Sequence, residues 1–257
     1  MRFSRVVSAT LGAFALTALT TVAAPLSHAA TGEYVAMGDS YASGTGAGNY
    51  SDTACTRSRN AYPALWAAAN SPASFKFVAC GGAQVPDVQR NQLSALSAST
   101  QLVSISIGGN DTGFASVMLS CKYSTTSACE RALADSREVA ENELPGQLDA
   151  LYAQIRTRAP QARVVVVGYP YLYKNGGLCI GGLSSAKRTM LNQGSDLLNG
   201  IIAGRAQAAG FVFADARPAF AGHEICTSDE WISGSNVHPT AEGHTLGYLP
   251  AFTTAAA

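Results

Sequence analysis

Arg163-Val164-Val165-Val166-Val167-Gly168 decides the fold. Four successive valines make a poor helix, because β-branched side chains lose rotamer freedom against the preceding turn. They make a good strand when both faces are buried. Such a strand belongs to a sheet covered on both sides. Outward from it, four more short apolar runs each stop at turn residues or an acid. Tyr34-Val35-Ala36-Met37 ends at Gly38, and Phe75-Lys76-Phe77-Val78-Ala79 ends at Cys80-Gly81-Gly82. Leu102 to Ile107 alternates Val103, Ile105 and Ile107 against Ser104 and Ser106 and ends at Gly108-Gly109; Phe211-Val212-Phe213-Ala214 ends at Asp215. Helical patterns fill the gaps. Glu130 to Arg158 is broken by Pro145, with Leu144, Leu148, Leu151, Tyr152 and Ile155 spaced for one face, and Pro160 stops it. Ser184 to Ala209 follows, with Leu191, Leu198, Ile201 and Ile202 on one side and Gly210 as the stop. Strands alternating with helices predict an α/β chain: a three-layer α/β/α sandwich around a mostly parallel sheet.

Composition agrees. Of 257 residues, 47% are hydrophobic and 13% charged, with 17 basic and 17 acidic side chains. That is too apolar for a disordered chain and too balanced for a nucleic-acid binder. No internal repeat or linker divides it, so one domain is expected over residues 31–257. The first thirty residues read differently. Arg2 and Arg5 precede an uncharged run from Val6 to Ala24, and small residues follow at Ser27, Ala29 and Ala30. This is the pattern of a secretory signal peptide over residues 1–30, cut after Ala29 or Ala30; an uncleaved membrane anchor is the rival reading. Cleavage leaves 15 basic and 17 acidic residues, a net charge of −2. Export to an oxidising compartment implies that Cys55, Cys80, Cys121, Cys129, Cys179 and Cys226 are paired. Sequence leaves the connectivity open, apart from a local Cys121–Cys129 bridge suggested by proximity. No C-x-x-C pair is present, which argues against zinc.

Ligand sites in parallel sheets lie beyond the carboxyl ends of the strands. Three strand ends carry Gly38-Asp39-Ser40-Tyr41, Cys80-Gly81-Gly82-Ala83 and Gly108-Gly109-Asn110-Asp111, and Val237-His238-Pro239 comes near the C-terminus. Singly, each has a bland reading: a helix cap, a turn, a surface histidine. In this order they resemble the four blocks of the SGNH hydrolases, also called GDSL-type lipases and esterases. The stretch Tyr34 to Gly44 is especially similar to the secreted bacterial lipases and phospholipases of that group. The resemblance spans Gly38 to His238. It implies a flavodoxin-like sandwich and hydrolysis of carboxylic esters through an acyl-enzyme, with no metal or cofactor. It also implies sequential disulfides, Cys55–Cys80, Cys121–Cys129 and Cys179–Cys226.

The chemistry asks for the same parts. A serine hydroxyl is a weak nucleophile until a base takes its proton, and His238 is the fitting base for Ser40. The tetrahedral intermediate carries an oxyanion, which needs donors fixed in advance. Ser40 and Gly82 offer backbone N–H groups and Asn110 a side-chain amide, the roles the resemblance assigns to those blocks. One departure stands out. The family usually has Asp three residues before the histidine, and Ser235 occupies that position. Some secreted members use a main-chain carbonyl instead, giving a Ser–His dyad. The Ser235 carbonyl is the expected acceptor, with Asp229 as the alternative. Free histidine as base predicts a limb in kcat/KM around pH 6–7.

Other motifs take the bland reading. Asp39 and Asp111 are expected to order their turns. His223, His244 and Glu224 match no ligand spacing with His238. Gly44-Thr45-Gly46-Ala47-Gly48 lacks the ending of a phosphate loop. Tyr41, Tyr62, Trp66, Phe114, Tyr169, Tyr171 and Tyr173 are candidates to line an acyl pocket; ordinary packing is expected for most of them, and none is assigned. The expected protein is therefore a secreted, monomeric ester hydrolase that acts on acyl esters or lipids. It binds no nucleic acid and does not insert stably in a membrane. A catalytically silent lipid- or cell-wall-binding sandwich is the alternative from another class. Phospholipase, acylated-sugar esterase, thioesterase and protease activities share the same parts.

Overall fold

The computed structural model describes Met1, residues 32–180 and residues 182–257. The expected signal peptide, residues 1–30, lies outside the described residues except for Met1. Five parallel strands form the central sheet: β1 (Glu33–Gly38), β4 (Ser74–Phe77), β5 (Thr100–Ser106), β6 (Arg163–Val167) and β7 (Val212–Ala214), in the order β4-β1-β5-β6-β7. These are the five strands read from the sequence. Between β1 and β4 a small antiparallel hairpin, β2 (Tyr50–Asp52) and β3 (Arg57–Ser58), lies outside the sheet.

The helices are α1 (Ser40–Ser43), α2 (Tyr62–Asn70), α3 (Val85–Asn91), α4 (Phe114–Tyr123), α5 (Thr126–Asn142), α6 (Leu144–Arg158), α7 (Ser185–Ala208) and α8 (Leu249–Ala256). Pro145 does break the long pattern into α5 and α6, because its fixed φ suits the first turn of a new helix and not the interior of an old one. α2 and α8 pack together on one face of the sheet; α3, α6 and α7 cover the other, with α4 and α5 layered outside. Burial on both faces explains the valines: Val164 to Val167 are all buried. On the α2/α8 face, Tyr34 stacks on Phe252 and meets Trp66 edge-on, with centroids 5.9 and 5.1 Å apart. Tyr62 and Trp66 are therefore core residues, as expected.

Strand order locates the site. Numbered along the sheet strands alone, the order is 2-1-3-4-5, the flavodoxin-like arrangement, and the chain reverses direction of winding between β1 and β5. The crevice at that switch point opens beyond Gly38 and Ser106. Three bridges, Cys55–Cys80, Cys121–Cys129 and Cys179–Cys226, tie the loops around this end, and no free cysteine is present among the described residues.

Candidate active site

The turn carrying Ser40 is built by the end of β1. Gly38 has φ +117°, and a Cβ there would collide with the Ser106 carbonyl oxygen, so only glycine lets β1 and β5 close up at this point. The buried Gln92 amide clamps the same residue, accepting from Gly38 N at 2.7 Å and donating to Gly38 O at 2.9 Å. Asp39 then caps α1: its Oδ1 accepts from Tyr41 N at 2.9 Å. Ser40 opens the helix, so its backbone N–H has no intrahelical acceptor and is free to serve as a donor. Only 9% of Ser40 is exposed, so the surroundings of its hydroxyl are largely dry.

Asp39 orders its turn and does more. Its Oδ2 accepts from the Tyr169 hydroxyl at 2.5 Å, and that hydroxyl in turn accepts from Gly109 N at 3.1 Å. The turn carrying Ser40 is thereby hydrogen-bonded through one phenol to the turn carrying Asn110. Burial pushes the Asp39 carboxyl up to about 7, against the pull of the Tyr169 and Tyr41 bonds. Asp111 is likewise pushed up by burial while accepting from Val85 N at 2.8 Å, which fixes the start of α3 to the same turn.

Asn110 uses one side-chain N–H on the Ala83 carbonyl at 3.0 Å. An amide NH₂ has two donors, so the second remains for a ligand. Gly82 sits at φ +78° with open space where a Cβ would be, on the exposed turn after Cys80. Among the described residues its N–H meets no protein carbonyl.

His238 is presented by a strained loop. Val237 before it has φ +56°, a left-handed conformation that a β-branched residue rarely adopts. Several bonds hold it there. Tyr41 Oη donates to Val237 O at 2.6 Å, Val237 N to Ser233 O at 2.8 Å, and His238 N to Asn236 Oδ1 at 3.0 Å. The reversal at Val237 turns the Asn236 carbonyl back toward the ring, 2.6 Å from Nδ1. This corrects the expectation for Ser235. The histidine meets a main-chain carbonyl, but that of Asn236, while the Ser235 hydroxyl bonds to Ser233 Oγ at 2.8 Å. Asp229 is engaged elsewhere, its carboxylate 3.1 Å from His223 Nδ1. A carbonyl only accepts, so Nδ1 carries the proton and Nε2 keeps its lone pair.

Burial lowers the pKa of His238 below 6.5, and the Asn236 bond offsets part of that. The imidazole is the free base at neutral pH. A lowered pKa moves the limb to the acid side of the pH 6–7 range expected from sequence. kcat/KM should therefore rise with pH below 6.5 and level off above it, which a pH profile on a soluble ester will show. A limb above pH 7 would contradict the geometry.

Ser40, Gly82, Asn110 and His238 line one cavity of about 690 Å³. No hydrogen bond joins Ser40 and His238 here; such bonds often tighten only in the substrate complex. The same cavity extends between α4, α5 and α7, where Phe114, Val117, Met118, Leu133, Met190 and Leu198 make the lining mainly apolar and Glu130, Arg137 and Gln193 add polar groups.

The sequence profile of the GDSL-like Lipase/Acylhydrolase family matches residues 36–246. The chain belongs to this family. It is 49% identical to Lipase 1 of Streptomyces coelicolor over 251 residues, 94% of this chain and 93% of that one. Two solved structures superpose with a TM-score of 0.85, each covering 88% of this chain and 100% of the other. They are an extracellular lipase from Streptomyces rimosus at 46% identity and phospholipase A1 from Streptomyces albidoflavus at 49%. This member of the family is a carboxylic ester hydrolase of the SGNH serine type.

Sequence reading of this hydrolase missed Tyr41 and Tyr169 as site-building residues. Both follow strand ends, Tyr41 after β1 and Tyr169 after β6, so the strand-end rule contained the signal. Phe114 lines the cavity, whereas Tyr171 bonds Asp196 at the surface at 2.6 Å. His244 is core: it is buried between Tyr62 and Tyr248, and burial holds its pKa down to about 3. His223 stacks on Trp231.

Proposed function

We propose that this hydrolase cleaves long-chain acyl esters of lipids, phospholipids included, through an acyl-enzyme on Ser40. The observation that carries the reading is the apolar slot between α4, α5 and α7, which continues from the polar end holding Ser40 and His238. Its volume and lining suit an acyl chain. As Ser40 Oγ attacks the ester carbonyl, His238 Nε2 takes its proton, and the Asn236 carbonyl holds the ring and receives the Nδ1 hydrogen bond. The oxyanion is held by the Ser40 and Gly82 N–H groups and the free Asn110 N–H. His238 then protonates the leaving alcohol. A water activated by the same imidazole attacks the acyl-enzyme, releasing the fatty acid and restoring Ser40. No step uses a metal or cofactor.

The names of the relatives, lipase and phospholipase A1, support the lipid class. Among the described residues no helix is long and apolar enough to cross a membrane. Three disulfides and an extracellular relative favour a secreted protein, and the reading has it act as a monomer. Profiling esters from acetyl to palmitoyl, together with phosphatidylcholine, tests the assignment. kcat/KM should climb with chain length, and phosphatidylcholine should be cleaved. A preference for acetyl with no action on phosphatidylcholine would refute it.

Asn110→Ala should lower kcat about 100- to 1,000-fold with little change in KM, because its N–H acts on charge that develops only in the transition state. Steady-state kinetics check this; a rise in KM at constant kcat would make Asn110 a ground-state contact.

A further inference from the structure

The loop between β6 and α7 presents two aliphatic side chains to solvent, Leu178 at 88% and Ile180 at 96% exposure. They flank Cys179, which is bridged to Cys226. Beneath them the buried Arg188 guanidinium donates to the carbonyls of Lys174, Gly176 and Gly177 at 2.6, 2.9 and 2.7 Å. Asn192 donates to Tyr173 O at 2.7 Å and to Asn175 Oδ1 at 3.1 Å. Charge-assisted bonds of this kind make the loop a held platform. Its outward leucine and isoleucine are displayed, whereas a collapsing loop would bury them.

The end of α4 adjoins this platform. Leu119 and Tyr123 are exposed there, four residues apart on one face. Lys122, on the same turns, lines a hollow of about 550 Å³ together with Leu178, Cys179 and Ile180. The chain has four lysines, Lys76, Lys122, Lys174 and Lys187, and the last three all lie here. Lys174 belongs to the platform, and Lys187 Nζ donates to the carbonyls of Cys121 and Ser124 at the end of α4. Glu230 is the acid that lines the hollow. Large apolar side chains rimmed by lysines match the boundary of a lipid layer, where aliphatic tips enter the acyl region and ammonium groups meet anionic headgroups. The other side of α4 walls the acyl slot through Val117 and Met118. A layer seated on this face would therefore lie against the substrate cavity.

We propose that Leu119, Tyr123, Leu178 and Ile180, rimmed by Lys122, Lys174 and Lys187, seat the protein on an anionic phospholipid surface. Its use in catalysis rests on the lipid-ester reading above; the binding itself does not. The test is flotation of the protein without residues 1–30 on vesicles of ether-linked phosphatidylcholine, with and without ether-linked phosphatidylglycerol, which cannot be hydrolysed. The double variant Leu178→Asp and Ile180→Asp should lose at least about tenfold in partitioning, and the uncharged pair Leu178→Gln and Ile180→Gln should do nearly the same. Lys122→Gln with Lys174→Gln should lose about tenfold on vesicles containing phosphatidylglycerol and little on pure phosphatidylcholine. All variants should hydrolyse a soluble short-chain chromogenic ester as the parent does. Parent-like partitioning of the aliphatic variants, or equal losses of the lysine variant on both vesicles, would overturn the proposal. So would a parallel fall in soluble-ester activity, or a parent dimer that these substitutions make monomeric while vesicle binding persists. If the lipid-ester reading alone were wrong, vesicle binding would remain while ester-linked phospholipid went uncleaved.

Discussion

Ser40→Ala should cut kcat/KM on a chromogenic ester by roughly 10⁴-fold or more, leaving only what positioning and the oxyanion donors supply without a nucleophile. The effect should lie almost wholly in kcat. The acyl slot remote from Ser40 is unchanged, so substrate binding persists. Folding should also be unaffected. The cap that holds this turn is the Asp39 side chain, and the clamp on Gly38 comes from Gln92; neither involves the Ser40 hydroxyl. A variant that kept a tenth of the activity, with an unchanged melting temperature, would remove Ser40 from the chemistry.

His238→Ala should fall by a similar factor, roughly 10⁴-fold, and the double variant should be no worse than either single one, because nucleophile and base act as a unit. The acidic limb of the pH profile should vanish with the imidazole. This separates loss of the base from mere loosening of the loop, which would lower the rate but leave the limb in place. The loop keeps its shape through groups other than the ring: Tyr41 on the Val237 carbonyl, Asn236 Oδ1 on the main-chain N–H, and Ser233 N on the His238 carbonyl at 2.9 Å. Multiplicative losses in the double variant, or a surviving limb, would mean that another group takes the serine proton.

Much of this arrangement was legible in the chain, and the rest was not for physical reasons. The valines of β6 and the alternation in β5 announce buried strands, since period and β-branching there agree with the fold. The β2–β3 hairpin was invisible because its strands are three and two residues long and polar. α8 follows Tyr248 with Pro250 in its first turn and lacks a polar stripe that would mark it as a surface helix. The acceptor for His238 was misplaced by one residue. Val237 would ordinarily be read as extended, and only its left-handed twist brings the Asn236 carbonyl to the ring. The acyl slot depends on how α4, α5 and α7 pack against one another, which no local pattern encodes. Tyr169 joins two turns 70 residues apart in the chain, a contact that exists only once β1, β5 and β6 lie side by side.

A covalent intermediate at one hydroxyl is the central requirement of the proposed mechanism. The most direct measurement is intact-mass and peptide analysis after exposure to a fluorophosphonate. The expected result is a single adduct on Ser40 that abolishes ester hydrolysis in proportion to labelling, is absent from Ser40→Ala, and forms far more slowly in His238→Ala. An adduct on any other residue, or full hydrolytic activity in protein quantitatively modified at Ser40, would contradict it.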